Sequence, residues 1–513
     1  MADLCVKSGR NLHSRCQSYR HAEAELANTI LEIEGYWLKI QDQVVILREI
    51  WDSLNERLQI HQSNVLGVLE GNLQSAINTL DNIFGEPENI EKWEQIVAKK
   101  GQVRRIKYVA SAKQSLERTV AQLGRWFSQF DLSWILLSRS SLPSFRVELD
   151  KRKESGNSAI SSALKLCTAH EVSDQSSSSS IPSSIFFPDE YQINDMETIA
   201  LSPASSGLTE GRFAIIDHCF VCGEDDLNLA KKDIRDLAII LSKANPNFTS
   251  LLPCEGVVRV ENPSTGQPRF DIVFRTPPDT TPAGSCSLRR LLLHQEKPYP
   301  LNERMRLAVS LARSVVFLHA SKIVHKNISP ENIIMLNSGP DALGDPFLVG
   351  FERFRFDERR TNKIGDNRWE KNLYRHPQRQ GLHPEEVYTM RHDIYSVGVC
   401  LLEIGMWRSF VSYSGDLAVI GADPELPIVS QISARNKRKA AAEIKAILVE
   451  LAQTHLPQLM GRIYTDTVLS CLTCLDHDGL LSQDASEFED PDGIIVGVRY
   501  IEKILFDIEK ICV

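Results

Sequence analysis

The sequence predicts a multidomain chain: an N-terminal all-α helical bundle over 1–137, a Ser-rich flexible linker over 138–206, and a C-terminal α+β bilobal domain over 207–513. Three observations predict it. Apolar residues from Ile30 onward recur in a 3,4,3,4 alternation, which marks a helix with one buried seam. Serines crowd the middle of the chain, with an unbroken run from Ser176 to Ser180. Beyond Gly211, short β-branched and aromatic runs give way to long helical patterns, the outline of a strand-rich small lobe and a helix-rich large one.

With 513 residues and 42% hydrophobic content, the chain can fill more than one core. Its 58 Lys+Arg against 67 Asp+Glu leave a net charge of −9, and a dedicated nucleic-acid binder needs the opposite balance, so no nucleic acid is expected as partner. The 11 cysteines are scattered and odd in number, and the first thirty residues lack the apolar core of a signal peptide. Both point to a reducing, cytoplasmic setting, in which the sequons Asn247-Phe-Thr249 and Asn327-Ile-Ser329 go unused. No apolar run reaches the roughly 18 residues that span a bilayer, so membrane contact is expected to be peripheral or induced.

In the bundle, the seam runs through Ile30, Ile33, Trp37, Ile40, Val44, Leu47, Trp51, Leu54 and Leu58. It resumes at Val65, Leu69, Leu73, Ile77, Leu80 and Phe84, on a second helix or the same one continued past Gly67 and Gly71, until Gly85-Glu-Pro87 ends it. A third stripe runs from Trp93 to Leu123 and closes on the aromatic Trp126–Trp134 segment. Trp37 and Trp51 read as core residues, and the heptad spacing also suits self-association. In the linker, only a short amphipathic piece around Ile160–Leu166 is expected. Strands are expected at Phe213–Ile216, Gly256–Val260 and Phe270–Phe274, with helices after Leu288.

The segment from Phe317 to Ile334 contains His325-Lys326-Asn327-Ile-Ser329-Pro-Glu-Asn332. It resembles the catalytic loop of eukaryotic protein kinases, H-R-D-x-x-x-x-N. Further pieces follow in the family's order: Gly350-Phe351-Glu352 where D-F-G stands, Tyr374-Arg-His376-Pro377 in the A-P-E region, and Asp393 to Gly398 on the central large-lobe helix. The resemblance covers roughly residues 205–513 and implies a protein-kinase fold, with Pro377, Asp393 and Gly398 in structural roles.

Chemistry is a separate question. Asn327 stands where the family's catalytic aspartate would orient and deprotonate the acceptor hydroxyl, and a neutral amide cannot take that proton. Ser329 replaces the following lysine. Gly350 replaces the D-F-G aspartate and offers no oxygen to Mg²⁺, leaving Asn332 as the remaining metal ligand of the usual set. Upstream, Gly207-Leu-Thr-Glu-Gly211 has the wrong spacing for a phosphate-covering loop, and Ala214-Ile-Ile-Asp217-His218 lacks the lysine of V-A-I-K. The nearby pair Lys231-Lys232 follows a loop-like stretch, and the next helix offers Asp233 and Asp236 rather than a glutamate. The scaffold positions His325, Asn332, Pro377, Asp393 and Gly398 are kept while the phosphotransfer groups are lost, which is what a pseudokinase looks like. No cofactor or metal is expected; Mg-ATP belongs to the alternative, a divergent Ser/Thr kinase.

The segments Leu31–Trp37, Ile50–Leu54 and Phe130–Trp134 resemble the helical N-terminal regions of fungal kinase-like proteins, related to HeLo and prion-inhibition domains. The resemblance covers residues 1–137 and implies an effector bundle that attacks membranes on oligomerising, although the polar Met1–Lys7 departs from the apolar start such domains carry. Lys99, Lys100, Arg104, Arg105, Lys107 and Lys113 share a segment with Val103, Ile106 and Ala110. That face suits anionic lipid, or is a solvated helix face.

The pairs Cys219/Cys222 and Cys471/Cys474 have zinc-like spacing, but strand geometry for the first and an amphipathic helix for the second favour core packing. His319, His376 and His392 read as structural. Three functions stay open: a kinase-fold scaffold coupled to a helical interaction module, a divergent kinase, and a membrane-active cell-death effector. The first is the preferred reading.

Overall fold

The structure, a computed structural model, describes residues 1–19, 24–84, 111–124, much of 126–168, 185–220, 227–261, 268–294, 298–337, 342–356, 368–381, 387–414, 419–422, 437–476 and three residues near the C-terminus, with single omissions at 189 and 279. It divides into two compact units, Met1–Thr168 and Ala169–Val513.

The first unit is helical. Helix α1 (Ala2–Ser18) turns Cys5, Gly9, Leu12 and Cys16 inward. Helix α2 (Ala24–Glu49) buries the seam Ile30, Ile33, Trp37, Ile40, Val44 and Leu47. A 3₁₀ turn at Trp51–Ser53 separates it from α3 (Glu56–Phe84). Leu66, Leu69, Leu73, Ile77, Leu80 and Phe84 of α3 close the same core, and the helix runs unbroken through Gly67 and Gly71. Arg15 of α1 bonds Asp81 of α3 at 2.6 Å, and the Cys5 thiol donates to the Leu66 carbonyl at 3.2 Å. At Gly9 the Trp37 ring lies so close to α1 that an added Cβ would stand 2.2 Å from it. Gly9→Ala is therefore expected to cost the bundle about 1–3 kcal/mol, the range for forcing extra volume into a packed core; urea denaturation followed by tryptophan fluorescence measures it.

Described elements extend into the expected linker from both ends. Helix α4 (Pro143–Lys151) buries Phe145 and Leu149 against the bundle, with Phe145 edge-on to Trp134 at 5.2 Å. Ile160, Ala163 and Cys167 are buried in the same core, and the first compact unit runs to Thr168. The reason is an i, i+4 apolar pair set among polar neighbours, short but sufficient to cover an aromatic row. At the other end, two strands start before residue 207. The Ser176–Ser180 run, the stripe from Trp93 to Ala110 and the basic residues Lys99, Lys100, Arg104, Arg105 and Lys107 lie outside the described residues.

The second unit is α+β. Strands β1 (Asn194–Thr198), β2 (Ser205–Thr209), β3 (Arg212–Phe220), β4 (Cys254–Glu261) and β5 (Pro268–Arg275) form an antiparallel sheet in the order β1-β2-β3-β5-β4. Helix α5 (Leu227–Leu241) packs Ile234, Leu237, Ala238 and Leu241 beside β4. In β3, Ala214–Ile216 are buried, and Asp217 stands opposite Ile272 of β5. Across β2, β3 and β5, Ser205, His218 and Asp271 form a chain of hydrogen bonds of 2.9 and 2.7 Å, with Arg269 bidentate on Asp271. Ser205 and Asp271 are buried ladder residues, and this polar row ties three strands together.

Below the sheet, α6 (Leu288–His294) and α7 (Leu301–Ala320) lead to β6 (Ile333–Leu336) and β7 (Asp345–Leu348), an antiparallel pair. Helix α8 (Met390–Met406) is buried almost all round, as expected of a helix at the centre of a lobe. Helices α9 (Lys437–Leu459) and α10 (Arg462–Leu472) pack against it. Gly398 explains its own identity: a Cβ there would lie 2.6 Å from that of Cys471. Cys471 is thus a packing residue, and the Cys474 thiol donates to the Arg391 carbonyl at 3.3 Å. Among the described residues no helix is long and apolar enough to cross a membrane, and no cluster of His, Cys, Asp and Glu is placed to hold a metal.

Candidate functional site

Asp393, in the first turn of α8, organises the loop that carries the predicted site. Its carboxylate accepts from the amides of His325 and Lys326 at 2.8 and 2.9 Å, from the His319 Nε2 at 3.1 Å and from the Tyr388 hydroxyl at 3.0 Å. Burial alone would raise its pKa, but these donors outweigh it and hold the carboxyl below its ordinary value. His325 is buried, its Nε2 donating to the Val349 carbonyl at 3.1 Å and its Nδ1 accepting from the Asn327 amide at 3.3 Å. Burial pushes its pKa down to about 4, so the ring is neutral. Lys326 takes φ 65°, a left-handed conformation that costs a residue other than glycine some strain and that the two amide bonds to Asp393 hold in place.

Asn327 and Asn332 share a small polar nest of bonds. The Asn332 side-chain amide donates to the Asn327 carbonyl at 2.7 Å and to the Ser329 hydroxyl at 3.4 Å, while Asn327 donates to the Gly350 carbonyl and to Glu352, both at 3.3 Å. Val349 donates its amide to the Asn332 carbonyl at 2.8 Å. The Asn332 Oδ1 is buried and lacks a hydrogen-bond partner among the described residues. Directly beside it is Gly350 with φ 91°, where an added Cβ would stand 2.4 Å from Oδ1 and Cγ of Asn332. A side chain has no room at position 350.

The turn after β7 is held from the sheet above. Both the Gly350 and the Phe351 amides donate to one oxygen of Asp217, at 2.9 and 2.6 Å. Phe351 is fully buried between His325, at 4.8 Å between ring centroids, and Phe274 of β5, at 6.1 Å. Burial pushes the Asp217 pKa up to about 6, the two amide donors opposing it. Asp217 lies in the strand segment Ala214–His218, where the kinase resemblance calls for a lysine and none stands.

A second buried cluster forms the floor. Arg289 of α6, with no exposed surface, donates to Glu331 at 2.9 Å, to Glu403 of α8 at 2.7 Å, to the Ser409 hydroxyl at 2.6 Å and to the Tyr374 hydroxyl. Burial works against the guanidinium charge, but the two carboxylates outweigh it and hold Arg289 cationic. Tyr374 in turn donates to the other oxygen of Glu403 at 2.7 Å.

Between the β1–β2 turn and this floor lies a cleft of about 1000 Å³. Lys326, Asn327, Ser329, Asn332 and Glu352 line it together with Ile199–Pro203. The structure therefore brings His325, Lys326, Asn327, Ser329, Asn332, Gly350 and Phe351 into one neighbourhood, with Asp393 beneath. Pro377 starts a 3₁₀ turn, and Gly398 lies further along α8. The glycines Gly207 and Gly211 are elsewhere: Gly207 is within β2, and Gly211 with Glu210 makes the left-handed turn into β3. The turn facing the cleft contains no glycine; Leu201 takes φ 56°, and the Ala200 carbonyl accepts from the Ser287 hydroxyl at 2.9 Å. Lys231 sits over the Phe186 ring at 5.2 Å, and Asp236 bonds its neighbour Arg235 at 2.9 Å. Sequence reasoning missed the parts played by Asp217 and by Arg289 with Glu331, Glu403 and Tyr374. The available signal was a charge inside an apolar run in each case, Ile-Ile-Asp217 and Leu288-Arg289.

No protein-family model matches the chain. Among curated proteins it is similar to U-box domain-containing protein 52 of Arabidopsis thaliana, 30% identical over 132 residues, 24% of this chain and 14% of that protein. It is similar to RasGEF domain-containing serine/threonine-protein kinase X of Dictyostelium discoideum, 29% identical over 122 residues, 22% of this chain and 11% of that one. A third relative, described as "Probable serine/threonine-protein kinase 2" of Autographa californica nuclear polyhedrosis virus, is 35% identical over 98 residues, 19% of this chain and 40% of that protein. The matches thus span well under half the length of each of these relatives. Among solved structures, a chain of the yeast RNA Pol II CTD kinase CTDK-1 complex aligns over 46% of this chain and 67% of its own at 14% identity, with a TM-score of 0.29, too low to carry an argument. Two kinase relatives and an H-R-D-like loop seated on a buried aspartate agree: the chain contains a protein-kinase-like domain, preceded by a helical region.

Proposed function

We propose that the chain is a catalytically degenerate kinase-like signalling scaffold, in which the second unit recognises a protein partner and the helical unit serves as an interaction module. The observation that carries this reading is Asp217. A carboxylate stands where phosphotransfer needs a cation, and it is spent on the backbone of the turn that should supply the metal-binding aspartate. Mg-ATP does not fit these residues: position 350 has no carboxylate and no room for one, and Asn327 cannot act as base. The pseudokinase and HeLo-like assignments, the fungal resemblance, self-association through the bundle, anionic lipid at the basic residues 99–107 and a cytoplasmic or peripheral-membrane setting belong to this proposal.

The test is phosphate transfer from labelled Mg-ATP by the full chain and by the Asn327→Asp/Gly350→Asp double variant. Neither is expected to transfer phosphate. In the variant the carboxylate introduced at position 350 must also displace Asn332 while the backbone there stays left-handed, a strain of about 1–3 kcal/mol. Robust transfer by either protein would favour the divergent-kinase reading instead.

A further inference from the structure

We propose that Asp217 is a latch that fixes the sheet of the kinase-like unit onto the large-lobe turn Gly350–Glu352, and so sets the opening of the cleft. Two consecutive amides converge on its Oδ2, and that convergence requires the left-handed Gly350 followed by a helical Phe351. Such a pair of N–H groups is a ready-made anion cradle. Here the anion is supplied from within the chain, by a strand 133 residues earlier in the sequence.

The attachment has two points on one face of β3 and a third on β5. Residues i and i+2 of a strand share a face, and two positions beyond Asp217 the Cys219 thiol reaches the Phe351 carbonyl at 3.6 Å. The same short turn thus gives its amides to Asp217 and its carbonyl to Cys219. The Phe351 ring is gripped between Phe274 of the sheet and His325 of the large lobe. Asp217 itself cannot give way easily, because β3 is laddered on both sides, to β2 through Ile216 and to β5 through Ile272. On the large-lobe side the turn is anchored by the Val349–Asn332 bond and by Asn327 on the Gly350 carbonyl. A lobe movement that widens the cleft must break the carboxylate–amide pair, and a buried carboxylate released from its donors is costly. The latch acts in the same way whichever partner the cleft takes.

Hydrogen exchange on the full chain, resolved to single amides, tests it. In the wild type the Gly350 and Phe351 amides are expected to exchange as slowly as the Val349 amide. In Asp217→Ala they are expected to speed up by about tenfold or more, the loss of a charge-assisted bond, while the amides of α8 stay protected. Asp217→Asn keeps a carbonyl oxygen for the two donors and should retain most of the protection. Unchanged exchange at 350 and 351 in a folded Asp217→Ala overturns the latch. Should that variant not fold, open-loop exchange rates at these two amides in the wild type overturn it equally, and rates matching Val349 there support it.

Discussion

Replacing Arg289 with alanine is expected to cost the kinase-like unit about 3–5 kcal/mol, the penalty for removing one partner of a buried ionic cluster. The guanidinium is fully enclosed and is shared among Glu331, Glu403, Ser409 and Tyr374. Its loss leaves Glu403, itself fully buried, facing the Tyr374 hydroxyl and the Phe410 amide without a counter-charge. The neighbouring Arg290 is exposed, and its replacement by alanine should stay within about 0.5 kcal/mol. Urea denaturation of the full chain, following the transition of the second unit, separates the two. Adding Glu403→Gln to Arg289→Ala should recover part of the loss, because the stranded charge rather than the missing contacts dominates it.

Acid should unfold the same unit early. His325, His376 and His392 are buried, and burial pushes their pKa values down to about 4, 4 and 3 from an ordinary 6.5. The unfolded chain therefore takes up protons first as pH falls below 6.5, and the stability present above that value is lost on the way to pH 4. Asp217 works in the opposite sense. Its folded pKa of about 6 lies above the unfolded 3.8, so its contribution is fully present in acid and is lost as pH rises through 6. Three histidines against one aspartate leave a net loss of stability as pH falls from 7 to 4.5. Asp217→Asn removes the opposing group, so its stability should fall more steeply over the same interval. Denaturation midpoints measured across that range check both slopes.

Parts of this architecture are legible in the chain because their cause is local. The seam from Ile30 to Leu47 repeats over a single helix, and its members are the residues that α2 buries. The loop from His325 to Asn332 can be recognised because its residues stand in one continuous stretch, Asn332 reaching back five residues to Asn327, although its anchors Val349, Gly350 and Asp393 lie further along the chain. What escaped depends on distant partners or on weak periodicity. Strand β1 is exposed at every position and shows no alternation to read. Helix α4 offers only Phe145 and Leu149, and its meaning comes from Trp134. Asp217 looks like a defect in an apolar strand until the turn at Gly350 is brought to it, and Arg289 waits on Glu403, 114 residues later.

On the proposed reading, a carboxylate latch and a glycine without space stand where a kinase would hold a nucleotide's phosphates and metal. A thermal melt of the full chain with and without saturating Mg-ATP tests it most directly, since a ligand at 100 times its dissociation constant adds about 2.7 kcal/mol to the folded state. No shift in the transition of the second unit is predicted. A rise of several degrees would show a working nucleotide pocket, against this reading, and would make phosphate transfer by the kinase-like domain the next assay.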